Sequence, residues 1–195
     1  MKWPSPDSAA RPRFSGKVTI TQDGPEHPAH YKVRLRGLNP NSLHGFHIHT
    51  NPITSLSDLE KTCATCGGHF NPTGQEHGSI LNNDPTNRHV GDLINNLKAD
   101  GNGEVCVDFY DELATLIPTE KKNYTVLGKS LVVHEGTDDL GRGGKTPILP
   151  YVYSNGKVRL GSGEDAVESY RDKKLLKGSK VTGNAGGRLA CGNIQ

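Results

Sequence analysis

Residues 17–22 read KVTITQ and residues 31–36 read YKVRLR, apolar and polar side chains alternating with the period of two that sets one face of a strand against a core. The stretch between them, Asp23 to Pro28, is rich in turn formers, so the pair predicts two adjacent antiparallel strands. Alternation recurs in LHGFHIHT (43–50), EVCVDF (104–109) and YTVLGKSLVVH (124–134), and no convincing helix is expected before residue 140. Asn51 to Gly91 has little periodicity but many Gly, Pro, Asn and His residues, and a loop that long in a compact domain needs something to pin it. This order predicts an all-β protein, a Greek-key barrel or sandwich of about eight antiparallel strands with long loops.

Beyond Gly144, Tyr151–Ser154 and Lys157–Leu160 flank Asn155-Gly156, which predicts a β-hairpin. Ser162 with Asp165 three residues on, then AVESYRDKKLLK and Gly178, predicts a capped helix of about three turns.

The chain has 195 residues, which favours one domain. Hydrophobic residues make up only 32%, but 24 glycines account for the shortfall as loops rather than disorder. A net charge of +2 is too small for a nucleic-acid binder, and no apolar run is long enough to span a bilayer. Met1 to Arg13 lacks the apolar centre of a secretory signal, so a soluble, cytoplasmic protein is expected.

His47 and His49 lie two apart in an alternating strand and share a face. Taken alone, the pair reads better as a polar strand face than as a metal site. His69, His77, His89 and Asp92 change that, because three imidazoles and a carboxylate complete a closed tetrahedral zinc shell inside the loop that needs a core. His134 ends another alternating stretch and adds to His47 and His49, and an all-imidazole site suits copper, which cycles one electron. Cys63 and Cys66 make one CxxC with no partner pair, which favours plain loop and structural thiols over zinc or redox chemistry. Cys106, in an alternating strand, is expected to be a packing residue.

GFHIH (45–49), GGHFNPTGQEHG (67–78), RHVGDL (88–93), LVVHEGTDDLGRGG (131–144) and TGNAGGRLACG (182–192) closely resemble the copper/zinc superoxide dismutases, in order and nearly in wording. The resemblance runs from about Ser15 to Gly192. It implies copper ligands at His47, His49, His69 and His134, zinc ligands at His69, His77, His89 and Asp92, and His69 as a bridge between the metals. By the same resemblance Asp138 is the carboxylate that orients a histidine of each metal, Arg188 attracts superoxide, and Cys63 pairs with Cys191 in a disulfide. The implied reaction turns superoxide into dioxygen and hydrogen peroxide by alternate reduction and reoxidation of copper, with His69 releasing the reduced copper and passing a proton to the nascent peroxide. A homodimer and a copper chaperone as partner are implied too.

Against that family, residues 1–14 read as an irregular extension before a domain at 15–195, and both the first and last strands are expected to be degenerate. Some five extra residues fall between His49 and Cys63. A larger insertion, at about 145–181, carries eight Lys or Arg against four Asp or Glu. Val181 stands where the family usually has a lysine, with Lys180 beside it, and Cys66 and Cys106 match no family role. Two other readings are a copper-delivery protein and a non-catalytic metal-binding protein. The absence of a separate metal-binding domain argues against the first, and the retention of Arg188 against the second.

Overall fold

The computed structural model describes residues 14–54, 59–81, 84–120, 124–141, 151–152, 158–159 and 173–195. In chain order its elements are β1 (Ser15–Thr21), β2 (Ala29–Arg36), β3 (Leu43–His49), α1 (Leu59–Ala64), β4 (Asp92–Lys98), β5 (Val105–Asp111), β6 (Ser130–His134), β7 (Tyr151–Val152), β8 (Val158–Arg159), α2 (Lys173–Thr182) and β9 (Arg188–Asn193). The strands form a three-stranded sheet, β1-β2-β5, and a six-stranded sheet, β8-β7-β4-β3-β6-β9. The result is an all-β sandwich, and among the described residues the two ladders do not join into a closed barrel.

The alternating patterns do what their period dictates. On β2 the side chains of Ala29, Tyr31, Val33 and Leu35 are buried, and on β5 those of Val105, Val107 and Phe109. Tyr31 pairs in register with Phe109, their rings stacked 4.9 Å apart. From the other sheet Phe46, Ile48, Leu97, Val133 and Ala190 join the same core. Each such Val, Leu, Ile or Phe side chain contributes roughly 1.5–3 kcal/mol when fully buried. On β3 both faces are used: Phe46 and Ile48 enter this core, while His47 and His49, on the opposite face, are also buried.

Several expectations are corrected. Asp92–Lys98 is a strand that alternation did not reveal, because β4 is irregular: pairing jumps from Phe46↔Asn95 to His47↔Asp92, and Asn95 adopts a positive φ of 61°. Only Ser130–His134 of the expected 124–134 strand is extended, since Gly128 turns the chain at φ 73° and Lys129 N–H closes a turn onto Val126 O. A short helix, α1, lies inside the long loop, at six residues too brief to show periodicity. The last strand is a full six residues, β9 pairing with β6 from Ser130↔Asn193 to His134↔Arg188 with a register shift between Val133 and His134. The expected hairpin is present as β7 and β8, but β7 joins β4 in parallel, so the sheet is not wholly antiparallel. Helix α2 starts at Lys173 and runs through Gly178, where a Cβ would collide with the Asn184 side chain. The expected helix start, the hairpin turn and residues 1–13 lie outside the described residues. Cys106 is exposed on the outer face of β5, not packed. No helix among the described residues is long and apolar enough to cross a membrane.

Candidate metal centre

β3 carries His47 and His49, β6 ends on His134, and the loop between α1 and β4 brings in His69, His77 and His89 before Asp92 opens β4. The loop is sewn to β3 through its backbone: Ile48 N–H donates to Gly91 O, Phe70 N–H to Ile48 O, and Gly91 N–H to Phe70 O. Gly91 is required there, because a Cβ would stand 2.2 Å from Ile48 O.

These residues fall into two donor sets that meet at His69. One is His47, His49, His69 and His134, the other His69, His77, His89 and Asp92, and within each the ligand atoms lie no more than 4.8 Å apart. All seven residues are buried. A third group, His47, His77 and Asp138, ties the sets together: Asp138 Oδ2 accepts from His47 Nε2 at 2.7 Å and Oδ1 from His77 Nε2 at 2.9 Å.

The rings of His47, His49, His77 and His134 are each oriented by one nitrogen and present the other. His49 Nδ1 donates to Gly67 O at 2.9 Å and His134 Nδ1 to Gly186 O at 3.2 Å. A carbonyl only accepts, so both protons sit on Nδ1 and the two neutral rings aim bare Nε2 lone pairs at one another, 3.3 Å apart. Burial keeps both rings neutral, pushing His134 down to about 4 and His49 down as well. Such an opposition of lone pairs is stable only with a cation to share. His47 Nδ1, His69 Nε2 and His77 Nδ1 are buried with no hydrogen-bond partner, three of the six such side-chain atoms among the described residues. A buried polar atom without a partner calls for an explanation, a bound ion being one, and these three lie on the inside of the donor sets. The residues fit metal ions.

The second set differs in charge. Asp92 Oδ1 faces His69 Nδ1 at 2.8 Å, His77 Nδ1 at 3.1 Å and His89 Nδ1 at 3.2 Å, while Oδ2 accepts from the N–H of Gly78 and of His89. Burial disfavours the Asp92 carboxylate, but the His77 charge and the hydrogen bonds with His69 and His89 outweigh it and hold the pKa well below the usual range. For His77 burial is likewise outweighed, by Asp138 and then Asp92, which lift it to about 10. Burial, then the neighbouring His69 charge, push His47 down to about 3.

Cys63 and Cys191 are disulfide-bonded, joining α1 to β9. Arg188 leads β9 and donates to the carbonyls of Cys63, Ala64 and Gly67. Its charge helps to depress His49 and His134, so it acts on the all-histidine set.

Sequence reasoning missed three supports. Arg88 is buried and donates to the carbonyls of Pro85, His89, Val90 and Asp92 and to the Asp111 carboxylate. Asn96 Nδ2 donates to Asp138 O and its Oδ1 accepts from Asp138 N–H, locking that carboxylate in place. His44 Nδ1 reaches His134 O at 2.8 Å. The clue was polarity at strand positions that the pattern says should be apolar, above all Asn95-Asn96.

A β-sandwich whose loop between α1 and β4 is gathered around two buried histidine sets sharing one imidazole has the donor groups of a protein that could hold two metal ions. Residues 14–194 match the family model for copper/zinc superoxide dismutase, and the chain belongs to that family. It is 34% identical to a superoxide dismutase [Cu-Zn] of Candida albicans, covering 93% of this chain and 90% of that one. It is 36% identical to an extracellular superoxide dismutase [Cu-Zn] of Drosophila melanogaster, covering 93% and 76%. A copper chaperone for superoxide dismutase from Sus scrofa is 39% identical over 82% of this chain but only 41% of its own length.

Proposed function

We propose that the protein is an oxidoreductase that disproportionates superoxide to dioxygen and hydrogen peroxide. Copper is held by His47, His49, His69 and His134, and zinc by His69, His77, His89 and Asp92. The observation that carries this reading is the meeting of an all-imidazole set with a three-histidine, one-carboxylate set at His69. Copper supplies the one-electron couple, and zinc a fixed charge without redox change.

The chain's own residues do the rest. Arg188 draws the anion and orients it, its three carbonyl bonds fixing the guanidinium before substrate arrives. Those bonds leave Nε–H and one Nη2–H for an anion. His69 holds a proton at Nε2, the atom with no protein partner, and passes it to the reduced product. Asp138 fixes the tautomers of His47 and His77, leaving their Nδ1 atoms to the metals. Residues 15–195 act as one domain, with 145–181 an insertion in it. The homodimer and loading by a copper chaperone rest on the family resemblance.

The test is superoxide consumption by protein of assayed copper and zinc content, at two ionic strengths, beside a His47→Ala variant. Turnover that requires copper, slows with salt and vanishes in the variant is expected. Inertness of the fully metallated protein overturns the reading in favour of copper delivery, which the match to the chaperone supports.

A further inference from the structure

Cys66 has no part in that chemistry, yet it is buried in one cluster with Cys63, Cys191 and Val132, with Ile53 packed against it. It is a free thiol beside a disulfide. It lies in the turn after α1, where its N–H donates to Cys63 O at 3.3 Å. A turn so closed keeps its end Cα atoms within about 7 Å, and a disulfide spans Cα separations of ~4.4–6.8 Å. The pair Cys63 and Cys66 is therefore within bonding range with little backbone movement. Arg188 is anchored on the carbonyls of Cys63, Ala64 and Gly67, which flank Cys66 in the chain.

We propose that Cys63, Cys66 and Cys191 form an internal thiol–disulfide exchange site, in which the cross-link moves between the Cys63–Cys191 and Cys63–Cys66 pairings. The Cys66 thiolate attacks Cys63 Sγ. The Cys63–Cys66 bond forms, the Cys63–Cys191 bond breaks, and the electron pair leaves on Cys191 Sγ, which takes the proton that Cys66 gave up. One disulfide and one thiol are present before and after, so no oxidant or reductant is consumed.

The two pairings differ in reach. Cys63–Cys191 closes a sequence separation of 128 residues and needs β9 docked against α1, whereas Cys63–Cys66 closes a single turn and loses far less chain entropy. The short bridge forms first in an incompletely folded chain and is handed to Cys191 as β9 docks. In the reverse direction, exchange releases the strand that carries Arg188.

The experiment uses the full-length, metal-loaded, oxidised protein in a Cys106→Ser background, which removes the exposed thiol. Excess iodoacetamide is added, and peptides are mapped without reduction over time. The expected result is label accumulating on Cys191 in step with a peptide holding the Cys63–Cys66 bond, and loss of that Cys191 label in Cys66→Ala. Cys66→Ser serves if the alanine variant does not retain the Cys63–Cys191 bond. Label on Cys66 alone with Cys63–Cys191 intact overturns the proposal. So does label on Cys63 and Cys191 together, the mark of simple reduction, and so does Cys191 label that persists without Cys66.

Discussion

The Arg88 guanidinium lies 2.6 Å from the Asp111 carboxylate, and both side chains are buried. Because Arg88 also donates to Asp92 O at 2.6 Å, the pair forms a strut from the second donor set to β5 in the other sheet. Removing one partner strands a buried charge. Arg88→Met is expected to lower stability by about 3–5 kcal/mol, read from urea unfolding. Combining it with Asp111→Leu should cost less than Arg88→Met alone; an equal or greater loss would mean the carbonyl bonds, not the ion pair, carry the effect.

Asp138 holds one histidine of each set, so its loss should loosen both. In Asp138→Asn the amide has one acceptor oxygen for two ring N–H donors. Metal affinity, measured by chelator competition, is expected to fall ~10–100-fold while the fold persists. Unchanged affinity would show that backbone packing alone orients His47 and His77.

For metal-free protein the pH dependence of stability has a definite sign. His47 and His134 are held down to about 3 and about 4 in the fold, and His49 is pushed down too, against about 6.5 when unfolded. Below about pH 6.5 the unfolded chain takes up protons that the fold refuses. Stability is therefore present above that pH and lost as pH falls, by up to roughly 1.4 kcal/mol per pH unit for each ring. The lowered pKa of Asp92 adds a further loss under acid conditions. His77, raised to about 10, acts the other way: its contribution is full below about pH 6.5 and disappears as pH rises through about 10. Urea midpoints at pH 7, 6 and 5 should fall in that order.

Arg188→Gln removes the charge felt at His49 and His134. The rate of superoxide consumption is expected to drop roughly tenfold, with a weaker dependence on salt. Metal content should stay as it was, and a matching loss of copper would assign Arg188 to site integrity instead.

Cys191→Ala opens a cross-link that spans 128 residues of sequence. The chain-entropy account predicts a loss of about 4–5 kcal/mol, read as a lower denaturant midpoint in the oxidised protein and no difference once the parent is reduced.

The sequence made some parts legible and hid others for identifiable reasons. β2 and β5 each face solvent on one side, so YKVRLR and EVCVDF alternate cleanly. β4 is buried along nearly its whole length and kinked at Asn95, so DLINNLK presents no period at all. His69, His77, His89 and Asp92 were readable because imidazole and carboxylate have few other reasons to crowd a loop and its end, and the strand histidines His47, His49 and His134 became legible beside them. Arg88, Asn96 and His44 were not, because their work is to hold backbone atoms, and a carbonyl partner leaves no trace in spacing. Cys106 misled because a thiol counts as apolar, although the alternation sets it beside Asp108 on the solvent face.

β3 has seven residues and no idle side: Phe46 and Ile48 belong to the core, His47 and His49 to the donor sets, and Gly45 has no room for a methyl group beside Ala185. A mutation there has nowhere harmless to land. Damage to folding and damage to chemistry are thus not separable at this strand, and a variant of β3 that keeps its metals will have kept its shape.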